Sequence, residues 1–237
     1  MIDLERLRAH FPERRIDYYP EIDTTMRAVA GLPTGSIALA GRQTAGQGRH
    51  GHRWHSEPSN GIYCSIALDP APVLTLALGV AAVEAIAQAT GIVCDLRWPN
   101  DLMLDGRKTA GILVQLAGAQ AIAGIGINVN HTLFPPELEH EATSLCIYEG
   151  RRLSREKILL KLIPAVDALA REDKDTILAL FTRASSYVSG RRVVVHQPGG
   201  EIRGTTAGLN PDGYLIVRKD DGTDTLIVAG GVRAAGS

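Results

Sequence analysis

The feature that most restricts the fold is a succession of short apolar runs between residues 92 and 129, separated by breaks of only turn length. The runs cover residues 92–98, 102–104, 109–116 and 121–129. Asp105-Gly106, between the second and third runs, is a residue pair that favours the two-residue turn of a β-hairpin. This stretch therefore predicts a strand-paired sheet in the first half of the chain.

Helical and strand patterns elsewhere complete an α+β chain. Helices are predicted at residues 26–30, with a threonine cap, and at residues 73–90, 154–171 and 175–184. Further strands are predicted at residues 36–40 and 62–68 and, after Gly190, at residues 192–195, 202–206, 214–218 and 225–228. Turn signals separate the last four strands at residues 197–200, 210–213 and 220–222. We expect a mixed, mostly antiparallel sheet packed by helices in residues 1–187 and a small β barrel in residues 188–237.

Composition narrows the class of protein. The 237 residues are 45% hydrophobic and 22% charged, with a formal net charge of -1, so the chain is globular and has no overall basic field for nucleic acid. The three cysteines form no CxxC pair or zinc spacing, and Cys64 and Cys94 lie in apolar runs that predict packed, inert thiols. The charged amino terminus does not resemble a signal peptide. These features favour a cytoplasmic protein that is not bound to a membrane.

A glycine-rich segment interrupts the early strands. Gly46, Gly48 and Gly51 formally match G-x-G-x-x-G, but a strand follows where a dinucleotide-binding fold begins a helix. A P-loop is excluded as well, because no G-K-[ST] follows. Two interpretations remain: a solvated basic turn, or a loop whose backbone N–H groups approach an anion while Arg49 and Arg53 supply charged donors.

A carboxylate and a lysine flank the predicted hairpin. Pro99 ends the first apolar run and places Asn100 and Asp101 after it, and Lys108 begins the third run. Pairing of the hairpin would bring Asp101 close to Lys108, either as a structural salt bridge or as part of a site. A lysine among apolar residues favours the site, because an anionic ligand would compensate its charge.

Alternating glycines mark the last of these strands. Gly124 and Gly126 leave no side chain to pack, so they predict that a ligand or a helix approaches this sheet face closely. Asn128 could offer its amide to either.

Taken together, these segments resemble the ordered motifs of biotin protein ligases. The matching segments are Ile22-Asp23-Thr24-Thr25, residues 46–54, Trp98-Pro99-Asn100-Asp101, residues 108–115 and residues 124–128. The resemblance implies the class II synthetase-like fold shared with lipoate ligases, with an SH3-like β barrel at the carboxyl end. It also implies an enzyme that activates biotin with ATP to biotinyl-5'-AMP and transfers biotin to a lysine on the biotin carrier domain of a carboxylase.

The resemblance also implies roles for individual residues. Lys108 would contact the reacting carboxylate and α-phosphate with Arg49, and Asp101 would act as the base toward the acceptor lysine. Trp54 would anchor the basic loop. The implied biotin-binding residues are Thr24, Thr25, Met26, Gln43, Gly46, Gln47, Gly48, Arg49, Lys108 and Gly111. The implied nucleotide-binding residues are Arg49, Arg53, Trp54, Asn100, Lys108 and Asn128. No protein metal ligand is expected, since Mg²⁺ would bind mainly through the phosphates of ATP.

The chain departs from the family pattern at several positions. Met26 replaces an asparagine, and Gln47, His50 and His52 lie where arginine is usual. Because histidine changes charge near neutral pH, we expect weaker or pH-dependent ATP binding. The segment before Thr24 is too short for the winged helix-turn-helix of some family members, so DNA binding is not expected.

Other interpretations stay open at this point. A lipoate or octanoate ligase would share the fold and the acyl-transfer chemistry. A non-catalytic nucleic-acid or peptide binding module would bind without ATP turnover, although aromatic residues, 5% of the chain, are too few to favour base stacking. The sequence is compatible with a homodimer.

Overall fold

Two β sheets organise the chain in the computed structural model, which describes residues 2–197 and 200–235. The described α-helices are α1 Leu4–His10, α2 Thr25–Val29, α3 Leu74–Thr90, α4 Leu145–Glu149, α5 Arg155–Leu169 and α6 Lys174–Arg183, and a short 3-10 helix covers Arg49–Gly51. The strands of the larger sheet are β1 Ile16–Tyr19, β2 Ile37–Ala40, β3 Gly61–Leu68, β4 Asp95–Arg97, β5 Asp101–Leu104, β6 Arg107–Ala117 and β7 Gln120–Asn128. The strands of the smaller sheet are β8 Ser189–Gln197, β9 Gly200–Leu209, β10 Leu215–Lys219, β11 Asp224–Ile227 and β12 Gly231–Ala234.

The larger sheet has the order β1-β2-β3-β7-β6-β5-β4. The β1–β2 pair is parallel and all the other pairs are antiparallel. Helix α3 packs against α5 and α6 and also contacts β4, β5 and β6. The prediction of an α+β fold with a mostly antiparallel sheet is confirmed.

The predicted hairpin joins β5 to β6. Asp105 and Gly106 both have positive φ, 48° and 75°, as the two central residues of this tight turn require. Asp101 pairs with Gly111, and the register shifts between Leu102 and Met103. The turn therefore sets the pairing of Met103 with Lys108, and the register shift beyond it sets the pairing of Asp101 with Gly111.

The smaller sheet has the order β11-β10-β9-β8-β12 and is antiparallel throughout. Its first four strands match the predicted ones, and β12 was not predicted. In the predicted turn at residues 197–200, Pro198 and Gly199 lie outside the described residues. The indole of Trp98 donates to the Gly213 carbonyl at 2.9 Å, which joins the turn before β5 to the smaller sheet.

Several elements of the larger sheet differ from the expectations. Helices α1 and α4 and strand β1 were not predicted. The strand expected at residues 92–98 is limited to Asp95–Arg97, because β4 lies at the edge of the sheet and pairs only with the short β5. No helix within the described residues combines the length and apolar character that a bilayer crossing requires.

Candidate active site

A narrow cavity of about 50 Å³ lies between α2, the glycine-rich loop and the face of the larger sheet. It gathers most of the residues that sequence analysis assigned to biotin: Thr24, Thr25, Met26, Gln43, Gln47, Gly48, Arg49, Lys108 and Gly111. Gly46 does not line this cavity, but a Cβ atom at this position would approach the lining residue Gln43 to 3.1 Å at Nε2. Residues distant in the sequence therefore converge on one cavity.

One end of the cavity is polar but uncharged. The Thr25 backbone N–H and hydroxyl donate to Gln43 Oε1 at 2.8 and 3.0 Å. The Thr25 hydroxyl also lies 2.7 Å from the Ser65 hydroxyl, and Ser65 is fully buried. Thr24 caps α2 by accepting from the Met26 N–H at 3.3 Å, which fixes the start of the helix beside this network. Such an end suits a neutral ligand group that exchanges hydrogen bonds.

The glycines of the sheet admit two large side chains. Gly111 and Gly126 are direct partners across β6 and β7, and a Cβ at Gly126 would lie 2.5 Å from the Trp54 ring. A Cβ at Gly124 would lie 3.0 Å from Met26 Sδ. The sequence predicted that a ligand or a helix approaches these glycines. In the structure, the indole of Trp54 and the α2 residue Met26 lie against them.

The glycine-rich loop folds back on itself and holds Arg49 over the cavity. The Trp54 N–H donates to the Gly46 carbonyl at 2.9 Å, and the Gly48 N–H donates to the His52 carbonyl at 2.7 Å. Arg49 Nη1 donates to Asn100 Oδ1 at 3.3 Å. Burial lowers the pKa of Arg49, and the charge of Asp101 acts in the opposite direction.

Asp101 lies between two cations. Its Oδ1 is 2.5 Å from Lys108 Nζ, and its Oδ2 is 2.7 Å from Arg97 Nη2. Burial alone would raise the pKa of Asp101, but the charges of Lys108 and then Arg97 outweigh burial and hold the pKa below its usual range. The Asp101 carboxylate is therefore charged at neutral pH, and it forms ion pairs with both Lys108 and Arg97. Lys108 also lies 5.5 Å from the centroid of the Trp54 ring.

A second, larger cavity of about 550 Å³ adjoins the first at Trp54 and Lys108. Two of the predicted nucleotide-binding residues, Arg53 and Asn128, line this cavity and not the first one. Asn100 lines only the first cavity. The Asn128 amide donates to the Thr143 carbonyl at 3.1 Å, so part of its hydrogen-bonding capacity is already used.

The positions that depart from the family pattern differ in their placement. Gln47, His50 and His52 are exposed, whereas Met26 is buried. His52 borders the second cavity, and Gln47 borders the first. The loop thus presents neutral or titratable groups at its solvent-facing positions.

Sequence reasoning missed Ser65, Cys64 and Arg97 as parts of the site. Ser65 carries a hydroxyl in an otherwise apolar, buried strand, and this isolated polar group was the sequence feature that could have identified it. Cys64 lines the cavity, but burial raises the pKa of its thiol to about 12, which agrees with the inert role predicted for it. Arg97 is visible in the sequence next to Trp98, yet its ion pair with Asp101 depends on the β4–β5 pairing.

Family comparisons match both parts of the chain. Residues 19–131 match the model of the biotin/lipoate A/B protein ligase family, and residues 188–232 match the biotin protein ligase C-terminal domain. The bifunctional ligase/repressor BirA of Bacillus subtilis is 30% identical over 244 residues, covering 94% of this chain and 75% of that protein.

Other relatives agree with this match. The biotin–[acetyl-CoA-carboxylase] ligase of Mycobacterium tuberculosis is 32% identical over 223 residues, covering 88% of this chain and 82% of that protein. The structure of the Aquifex aeolicus biotin protein ligase in complex with biotin and ATP superposes with a TM-score of 0.82 at 29% identity, covering 93% of this chain and 99% of that one. With both domains matched and the fold shared along nearly its whole length, the chain belongs to the biotin protein ligase family.

Proposed function

We propose that this protein activates biotin with ATP to form biotinyl-5'-AMP and transfers the biotinyl group to a lysine on the biotin carrier domain of a carboxylase. The observation that carries the proposal is the shared cavity of Arg49 and Lys108, whose other end is the uncharged network of Thr25, Gln43 and Ser65. An elongated acid with a neutral polar head and an anionic tail matches this division.

The head of biotin is a cyclic urea, which donates through two N–H groups and accepts through one carbonyl. Thr25, Gln43 and Ser65 together offer both donors and acceptors, so they can exchange hydrogen bonds with it. We assign Thr24 and Met26 to the same end, beside the cap of α2. The apolar ring and chain of the ligand would then lie along β6 and β7 between Met26 and Trp54, the two side chains that contact the glycines of this face.

The anionic end supports adenylate formation. A carboxylate oxygen of biotin attacks the α-phosphorus of ATP, the bond from that phosphorus to the bridging oxygen breaks, and pyrophosphate leaves with its electron pair. Two anions must meet, so donors that face the developing charge lower the barrier. We assign this stabilisation to Lys108 and Arg49.

The nucleotide is assigned to the adjoining cavity, with Arg53 and Asn128 on its walls and Trp54 and Lys108 at its junction with the first cavity, which Asn100 lines. The indole N–H of Trp54 is buried and has no acceptor among the described residues, so a ligand could satisfy it. Within the same part of the chain, no cluster of three or more His, Cys, Asp or Glu side chains is arranged to hold a metal. We expect Mg²⁺ to enter with the phosphates of ATP, which would supply most of its ligands.

In the second step the amine of the acceptor lysine attacks the acyl carbon, and AMP leaves. The amine must first lose a proton, because the unperturbed pKa of lysine is about 10.4. We assign Asp101 to attract the acceptor ammonium and accept its proton. Arg97 would continue to hold Asp101 when Lys108 turns toward the adenylate.

The first cavity is much smaller than the roughly 300–1,000 Å³ typical of ligand pockets. Because the glycine-rich loop forms one wall, we expect this loop to move outward as the ligands enter and to close over them afterwards. The ion pairs and hydrogen bonds of Arg49 and Lys108 would then be exchanged for contacts with the adenylate.

The direct test incubates the protein with ATP, Mg²⁺, biotin and a purified biotin carrier domain, and measures the intact mass of the carrier. We expect a gain of one biotinyl group that requires both ATP and the acceptor lysine, with a lysine-to-arginine carrier as the control. Lipoate and octanoate in place of biotin serve as competing acids. Transfer of either of these in preference to biotin, or no transfer at all, would contradict the proposal.

A further inference from the structure

A third cavity, of about 420 Å³, lies apart from the candidate active site. It shares no lining residue with the two cavities already described. Its walls come from the end of the loop before β3, the end of β7 and the start of α5, and its lining residues are Ser59, Asn130, Arg152, Leu153, Ser154 and Arg155. The assigned ligase chemistry uses none of them.

Arg155 is a buried cation without a carboxylate partner. Only 8% of its surface is exposed, and its Nη1 donates to the Gly61 carbonyl at 3.1 Å. Within residues 2–197 and 200–235, no carboxylate forms an ion pair with its guanidinium. Arginine side chains are seldom buried to this degree unless they are paired, because desolvation of an uncompensated charge is costly.

A second cation lies close to the first. Arg152 is exposed and donates to Asn60 Oδ1 at 3.0 Å, which is a neutral partner. The adjacent Arg151, in contrast, is paired with Glu149 at 2.9 Å. Burial lowers the pKa of Arg155, and the nearby Tyr18 and Tyr63 act to raise it. The charge of Arg152 lowers the pKa of Arg155 further. Two like charges thus approach each other at one cavity.

The remaining walls are compatible with an anion and are held in place. No acidic side chain lines the cavity among the described residues. The Ser154 hydroxyl accepts from the Lys157 N–H at 3.2 Å, so its own proton is free to point into the cavity. Asn130 exchanges two hydrogen bonds with the backbone of Leu153, at 2.9 and 2.8 Å, which fixes the wall between β7 and α5.

We propose that this cavity binds a small oxyanion of the phosphate class between the guanidinium groups of Arg152 and Arg155. Guanidinium groups match phosphate oxygens in geometry and charge, and the volume admits either inorganic phosphate or pyrophosphate. The site is separate from the anion-binding end of the active site at Arg49 and Lys108, and it does not depend on the proposed ligase activity.

The test is calorimetric titration of the full chain with inorganic phosphate and, separately, with pyrophosphate, at constant ionic strength set by chloride. Arg152→Ala removes an exposed charge of the site, so it is not expected to impair folding. Arg151→Ala is the matched control, since it removes the neighbouring charge outside the cavity. Lys108→Ala separates this site from the active site.

We expect saturable binding of at least one of the two anions, weakened about tenfold by Arg152→Ala and unchanged in Arg151→Ala and Lys108→Ala. The anion with the tighter Arg152-dependent binding is the ligand. Arg155→Lys, which keeps the charge but loses the planar donor set, should weaken binding in a chain whose circular dichroism is unchanged.

Three results would overturn the proposal: no saturable binding of either anion by the unmodified chain, an equal loss in Arg151→Ala and Arg152→Ala, or binding that only Lys108→Ala abolishes. In those cases Arg155 serves solely to connect α5 to the start of β3 through the Gly61 carbonyl. If Arg155→Lys fails to fold, the comparison of Arg152→Ala with Arg151→Ala still decides the outcome.

Discussion

Replacing Lys108 by alanine separates a catalytic role from a structural one. The side chain is 31% exposed and pairs with Asp101 at 2.5 Å, but Asp101 keeps Arg97 at 2.7 Å when Lys108 is removed. The carboxylate is therefore not left unpaired, and we expect Lys108→Ala to reduce the free energy of unfolding by only about 1 kcal/mol. Loss of a donor that faces developing charge has a much larger effect on the rate, on the order of a hundred- to thousandfold.

The assay is biotin-dependent exchange of pyrophosphate into ATP, with urea unfolding measured on the same preparations. Arg107→Ala is the matched control, because Arg107 precedes Lys108 on β6 but lines neither of the two active-site cavities. It should retain normal exchange. Near-normal exchange by Lys108→Ala, together with a loss of stability of about 3 kcal/mol or more, would refute the reasoning and show that the ion pair is structural.

Three further predictions follow from buried contacts. Gly126→Ala would place its Cβ 2.5 Å from the Trp54 ring, so it should lower the unfolding free energy by about 1–3 kcal/mol and raise the KM for ATP. Gly231→Ala is the control and should change neither quantity, because the space around Gly231 is open. Ser65→Ala removes a buried hydrogen-bond partner of a threonine hydroxyl, so steady-state kinetics should show the KM for biotin raised about tenfold with the KM for ATP unchanged. Burial, with the charge of His55 as a second cause, lowers the pKa of His131 from 6.5 to about 4. As the pH falls, the unfolded chain therefore takes up the proton before the folded chain does. The free energy of unfolding should fall by up to about 3 kcal/mol between pH 6.5 and pH 4. Urea unfolding of His131→Gln over this range should show a flatter dependence, and an unchanged slope would contradict the assignment.

Local turn chemistry and periodicity made much of the fold predictable. Asp105-Gly106 has the positive φ angles that its sequence favours, and the hairpin it closes brings Lys108 to Asp101. Ser154 caps α5 as predicted. In these cases the residues that predict a turn or a helix start lie within a few positions of the feature that they determine.

Features that depend on distant partners were not predictable in this way. Strand β1 is held by parallel pairing with β2 and was not recognised from its own four residues. The glycines of β7 indicated that something approaches the sheet, but only the folded chain identifies the indole of Trp54. Ser65 gains its place in the site only because β3 lies beside α2.

The central claim is that Arg49 and Lys108 act on the same anionic centre. The most direct measurement is a crystal structure of the protein with a non-hydrolysable analogue of biotinyl-5'-AMP. We predict that the linkage replacing the acyl phosphate lies between the two side chains, with both donating to its oxygens and the biotin ring reaching Thr25 and Gln43. An analogue bound with that linkage out of reach of both cations would contradict the account.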